Sequence, residues 1–269
     1  LLLLQSCTIN INDDILTQKN SRIVVNGIFQ NDNPFSVHVS KSTALSDSNI
    51  DIISNAKVEL FADSLKIDEL LFDASTGFYI SKKKPVSGIL YRLKITTQDG
   101  EIVSAQDSLP NASALSNYPV FQATTHYDEL NGPSGQVEFS IADIKQTKDY
   151  YEVVVGSMSK INDGVNYIDN DNSNWYQETI LFPDEKINGK EYHMIIQLSN
   201  NKAPEITIKH ISESYYKYKK AVYSYQNSQN EDGDWTPFPH NPASMWGNIE
   251  NGLGIFAGVN ISKYNSVTR

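Results

Sequence analysis

The chain has 269 residues, with 22 Lys and Arg against 32 Asp and Glu, for a net charge of −10. That balance argues against nucleic acid, which needs clustered cations to displace counterions, and against adsorption to anionic lipid. One cysteine excludes an internal disulfide and a multi-cysteine metal centre, and the length suffices for one large domain or two ordinary ones.

The chain opens Leu1-Leu2-Leu3-Leu4-Gln5-Ser6-Cys7. An apolar run, a small residue and then cysteine resembles a bacterial lipobox. The run reads as the tail of an export signal whose apolar segment spans roughly 7–15 residues, so the sequence looks truncated there. Cys7 is the expected lipidation site. Acyl chains, at about 0.8 kcal/mol per buried methylene, anchor a protein without a spanning helix. No later stretch approaches the roughly 18 apolar residues of such a helix. Residues 1–20 are thus signal remnant, lipobox and polar tether.

Strand patterns follow. Arg22–Phe29 is β-branched, and Phe35–Ser40 alternates strictly between apolar and polar. Ala56–Phe61 puts Val58 and Leu60 inward against Lys57 and Glu59. Gly77–Ile80 is short. In Ile89–Thr96, Tyr91, Leu93 and Ile95 oppose Arg92, Lys94 and Thr96. Asp99-Gly100 marks a hairpin turn into Ile102–Ala105. About six short strands predict an immunoglobulin-like sandwich over residues 21–108. Asp107–Pro119, small, polar and bounded by proline, reads as a linker.

Residues 119–269 form a second β-rich domain. Its expected strands are Phe121–His126, Gln136–Ile141, Tyr150–Gly156, Trp175–Phe182, Glu191–Leu198 and Glu205–His210. Asn162–Asn174 reads as a long polar loop. In Ile211–Gln226, the residues Ile211, Tyr215, Tyr218, Val222 and Tyr225 share one helical face, which predicts a helix packed over a sheet. Ser212 is its expected cap, with the tyrosine hydroxyls at a wet rim. Leu253–Ile261 is an expected last strand. The fold class is therefore all-β: two β-sandwich domains, the second with one packed helix near 211–226.

No catalytic spacing stands out. The histidines, His38, His126, His193, His210 and His240, form no metal motif, and no nucleophile elbow is present. Asp169-Asn170-Asp171-Asn172-Ser173 offers alternating oxygen ligands but lacks the glycine and final glutamate of a calcium loop, so it reads as a solvated loop. Neither metal nor cofactor is expected. Asp169, Asp171, Trp175, Tyr176 and Trp235 are the candidate ligand or partner surface, because exposed aromatics beside polar loops are common at interfaces. Asp63-Ser64-Leu65 and Asp107-Ser108-Leu109 resemble an acceptor motif for O-linked glycans in exported proteins of the Bacteroidota.

The strand Ile23–Gly27, the stretch Pro34–Ser42, and the ending Trp235-Thr236-Pro237-Phe238, Asn241-Pro242, Asn248-Ile249 and Asn251-Gly252-Leu253-Gly254-Ile255-Phe256 carry a resemblance. They are similar to the domain-of-unknown-function 4249 family of Bacteroidota outer-membrane lipoproteins. The resemblance covers about Arg22 to Ser262. It implies a two-domain β architecture, an outer-membrane location on the periplasmic or surface face, and a TonB-dependent transporter as partner. It brings no catalytic residues. The expectation is a non-enzymatic accessory subunit, with a surface module for a glycan, peptide or metal complex as the alternative. Gly252, Gly254 and Gly258 are expected to permit tight turns or close backbone approach.

Overall fold

The computed structural model describes residues 21–43, 49–112, 114–123, 135–143, 147–155, 165–167, 174–176, 179–186, 189–198, 203–229 and 245–269. The chain is mostly β with one helix, arranged in two sheets without a closed barrel. No helix among the described residues is long and apolar enough to cross a membrane.

The first lobe contains β1 (Ile23–Gln30), β2 (Ser36–Lys41), β3 (Asp51–Ile52), β4 (Lys57–Ala62), β5 (Leu65–Asp73), β6 (Phe78–Ile80), β7 (Leu90–Thr96) and β8 (Ile102–Ser108). Alternation works here as expected. Val58 and Leu60 are buried, as are Tyr91, Leu93 and Ile95, while Lys57 and Arg92 face water. Gly100 turns with φ +84 between β7 and β8. Sequence reasoning missed β5, which fully buries only Leu70 and leaves Ile67 and Phe72 half-buried against the core. Its backbone ladders with β4 and β6 hold it, and those leave no apolar period to read.

The second lobe contains β9 (Ala114–Ala123), β10 (Gly135–Ala142), β11 (Tyr150–Val155), β12 (Val165–Tyr167), β13 (Asn174–Tyr176), β14 (Thr179–Pro183), β15 (Glu191–Leu198), β16 (Glu205–Ile211), α1 (Glu213–Gln229), β17 (Leu253–Asn265) and β18 (Val267–Thr268). Three expectations need correction. The stretch expected as linker is entered from both sides, since β8 ends at Ser108 and β9 begins at Ala114. Pairing of β9 with β10 holds that segment, and Leu115 packs against the second-lobe core. The single strand expected over Trp175–Phe182 is a hairpin of β13 and β14. The expected polar loop contains β12, which pairs with β15.

The larger sheet runs β13-β14-β11-β16-β17-β1-β2-β6-β5-β4-β7-β8, and the smaller β12-β15-β10-β9-β18. Phe139, Met194 and Ile196 of the smaller sheet pack on Tyr151, Val153 and Ile208 of the larger. The helix covers the opposite face, with Tyr215, Tyr216, Tyr218 and Tyr223 against Tyr150, Ile211, Ile255 and Val259. The Ser212 hydroxyl accepts the Tyr215 N–H at 3.2 Å, the expected cap.

The last long strand joins the lobes. Its first half pairs parallel with β1, Leu253–Val259 against Val24–Gln30. Its second half pairs antiparallel with β16, Val259–Asn265 against Ile211–Glu205. Phe256 enters the first-lobe core beside Phe29, at 4.7 Å between ring centres. Ile255, Ala257 and Val259 lie under the helix. The glycines act as expected: a Cβ on Gly254 (φ +101) would meet the Val25 carbonyl oxygen at 2.0 Å, and one on Gly258 the Ser108 oxygen at 2.2 Å.

Candidate functional site

Of the surface candidates, Asp169, Asp171 and Trp235 lie outside the described residues, as does Cys7. The backbones of Trp175 and Tyr176 are in β13, facing Ile180 and Thr179 of β14 across the ladder. The described surface offers a different feature. A groove of about 400 Å³ runs beside the helix, lined by Tyr218, Trp246, Ile249, Leu253 and the exposed Met245. The Lys217 ammonium lies 5.7 Å from the Trp246 ring centre. Part of the sequence ending singled out above, Ile249 to Gly254, thus forms one wall of the groove.

Beneath the helix lies a buried ion cluster. Glu152 sits in β11, where alternate residues face the smaller sheet and the helix. Its side chain is 1% exposed. The Lys209 ammonium is 2.8 Å away and Lys219 3.6 Å. Tyr223 donates to it at 3.0 Å and Tyr215 at 3.2 Å. Burial pushes the Glu152 carboxyl up, but the two ammonium charges and these hydrogen bonds outweigh it and hold it below its ordinary value. Burial first, then the Glu152 charge, raises the Tyr215 hydroxyl. Of the expected tyrosine stripe, Tyr215 therefore does not sit at a wet rim, because the buried carboxylate is its acceptor, whereas Tyr225 is exposed.

Another acidic group gathers at the ends of several strands. Asp143 follows β10, Asp149 precedes β11, and Asp184 opens the 3-10 turn Asp184–Lys186 after β14. One carboxylate oxygen from each lies within 4.8 Å of the others. Asp143 accepts hydrogen bonds from the Tyr151 hydroxyl and the Gly189 N–H, both at 2.7 Å. Asp149 accepts from Thr147 at 2.5 Å and faces His210 Nε2 at 2.7 Å. His210 Nδ1 lies 2.7 Å from the Asn111 carbonyl oxygen. The ring is thus held between a backbone carbonyl and the Asp149 carboxylate, one on each nitrogen. Burial acts to raise Asp149, but the His210 and Thr147 hydrogen bonds prevail and lower it. Burial first, with the nearby Asp149 and Asp143 charges adding, raises Asp184.

A serine, histidine and carboxylate also meet on paired strands. Ser140 Oγ is 3.1 Å from His193 Nδ1, and His193 Nε2 is 3.3 Å from Glu138. Ser140 is 1% exposed, whereas His193 is 51% exposed. The order is therefore inverted for nucleophilic catalysis: the base meets water and the hydroxyl does not. Ser140 and His193 are register partners, so cross-strand pairing alone accounts for the contact. His38, in β2, packs its ring on Phe78. Of the two glycan-like tripeptides, Asp63-Ser64-Leu65 is exposed at the turn between β4 and β5, whereas Asp107-Ser108-Leu109 is largely buried.

The site residues define a mostly β protein with a helix laid across the seam between its lobes. A family model described as a domain of unknown function, DUF4249, matches residues 7–265. The chain belongs to that family. No curated protein matches it.

Proposed function

We propose that this protein is a non-enzymatic outer-membrane lipoprotein, anchored through Cys7, that serves as partner subunit of a TonB-dependent transporter. The finer reading of the fold goes with it: the first lobe is an immunoglobulin-like sandwich that spaces the second from the membrane. The observation that carries the partner reading is the apolar groove beside the helix, where Met245, Trp246 and Leu253 line one open wall. Apolar surface of this kind, here with the Lys217 ammonium beside Trp246, is what partners bury. The lipobox-like sequence and the family match, which starts at Cys7, support the anchor. The inaccessible Ser140 supports the non-enzymatic reading.

The test is a pull-down from detergent-solubilised native envelopes with a tag linked after Arg269. Wild type is expected to bring down one barrel protein in equal amount. Met245→Glu is expected to lose it while staying membrane-bound, and Cys7→Ala to leave the membrane. Recovery of the wild type alone would sink the partner reading. It would favour the alternative, a surface module for a glycan, peptide or metal complex, using this groove or the Asp169, Asp171, Trp175, Tyr176 and Trp235 surface.

A further inference from the structure

We propose that Asp143, Asp149 and Asp184 form a binding site for a divalent hard cation, specifically calcium. Asp143 and Asp149, at the two ends of the β10–β11 connection, converge here with Asp184 from the end of β14. Their oxygens lie within 4.8 Å of one another. That span is about twice a calcium–oxygen bond of roughly 2.4 Å, so one ion can touch all three.

The second observation is Asp184. The residue is 1% exposed, its carboxylate is part of the cluster, and its Oδ2 is buried without a hydrogen-bond partner. A buried carboxylate oxygen without a donor is unfavourable, and a cation supplies what is lacking. The surrounding shell fits the same reading. Tyr151, Gly189, Thr147 and His210 each hold an oxygen of Asp143 or Asp149, which fixes the carboxylates as ligand-orienting partners do. Each oxygen keeps a further lone pair for metal. Among the described ion pairs, these carboxylates meet no Lys or Arg; the one basic side chain beside them is His210, at Asp149. All-oxygen donors with three carboxylates select a hard ion over zinc or copper. Calcium's irregular geometry tolerates ligands drawn from two separate connections better than magnesium's strict octahedron.

The site is distinct from the Asp169–Ser173 loop, and the experiment separates them. The full chain is treated with EDTA, exchanged into metal-free buffer, and titrated with calcium chloride by calorimetry and thermal unfolding. Calcium is expected to bind at one site and to raise the midpoint by about 5 °C at a hundredfold excess over Kd. Asp184→Asn is expected to abolish the rise. Asp143→Asn, at a half-buried position, does the same should the first variant fail to fold. Asp169→Asn with Asp171→Asn leaves it intact. Magnesium gives a smaller rise. No heat and no shift at millimolar calcium would overturn the proposal, as would an undiminished shift in both single variants or a magnesium shift equal to calcium's.

Discussion

Asn248 and Phe256 exchange a pair of hydrogen bonds as two strands would. The Asn248 amide oxygen accepts the Phe256 N–H at 2.9 Å, and its nitrogen donates to the Phe256 carbonyl at 2.8 Å. Asn31 does the same for Ile261, at 2.7 and 3.1 Å. Near Phe256, β17 has β1 on one edge, and near Ile261 it has β16 on the other. Each asparagine therefore stands in for the strand missing at that point. Buried backbone groups must find partners, and these side chains provide them.

Asn248→Ala should accordingly cost about 2 kcal/mol, since it orphans both a donor and an acceptor. Asn248→Asp keeps only the acceptor and should also destabilise. Urea unfolding measures both. A loss below about 0.5 kcal/mol for the alanine variant would show that water substitutes fully.

Glycine substitutions should separate by site. Gly254→Ala places a Cβ 2.0 Å from the Val25 oxygen at φ +101, and soluble folded protein is not expected. Gly88→Ala, at φ +79 with nothing within 4 Å, bears only backbone strain. It should cost about 1–2 kcal/mol. Circular dichroism of the two purified variants decides, and a well-folded Gly254→Ala would refute the close approach.

The Glu152 cluster predicts strong coupling. Glu152→Ala leaves the Lys209 and Lys219 ammonium groups without their shared partner and should cost about 3–5 kcal/mol. Glu152→Leu combined with Lys209→Met and Lys219→Met should recover most of that loss, because no charge is then buried. Equal instability of the single and triple variants in denaturant would argue against a charge effect.

Asp107 makes stability depend on pH. Its carboxylate accepts from Ser212 and from the Gly258 N–H, and so ties β8 to the helix start and to β17. Burial pushes its carboxyl from 3.8 up to about 6, against those hydrogen bonds. The folded chain therefore holds a proton that the unfolded chain has released. This contribution is complete below 3.8 and is lost as pH rises through about 6. Between pH 4 and 7, wild type should lose about 2 kcal/mol relative to Asp107→Asn. A constant difference between the two unfolding curves would contradict a raised carboxyl.

Much of the β framework was legible in the sequence. Val58, Leu60, Tyr91, Leu93 and Ile95 announced their strands because one face of each is buried and the other wet. That signal fails where its physics fails. Only Leu70 of β5 is fully buried, and the start of β9 has Leu115 as its one large apolar residue, so neither shows a clean alternation. Asp143, Asp149 and Asp184 carry no spacing pattern, because three loop ends bring them together. Glu152 did leave a trace. A lone acid within Tyr150-Tyr151-Glu152-Val153-Val154-Val155, apolar on both sides, signals a strand covered on both faces with a partnered charge inside.

The parallel pairing of β1 with β17 has a consequence for the order in which the chain can fold. Arg22 and Gly252, hydrogen-bonded at 2.8 Å, are 230 residues apart in sequence. A chain whose first-lobe strands β1 to β8 alone have emerged still lacks the inner neighbour of β1 and the Phe256 side chain of its core. The first lobe thus cannot mature as an independent early module. Its open edge waits for nearly the whole polypeptide, the condition under which chaperones hold slow, high-contact-order chains. By the same reasoning, trimming the chain before β17 would strike the earliest-made part of the molecule as hard as the latest.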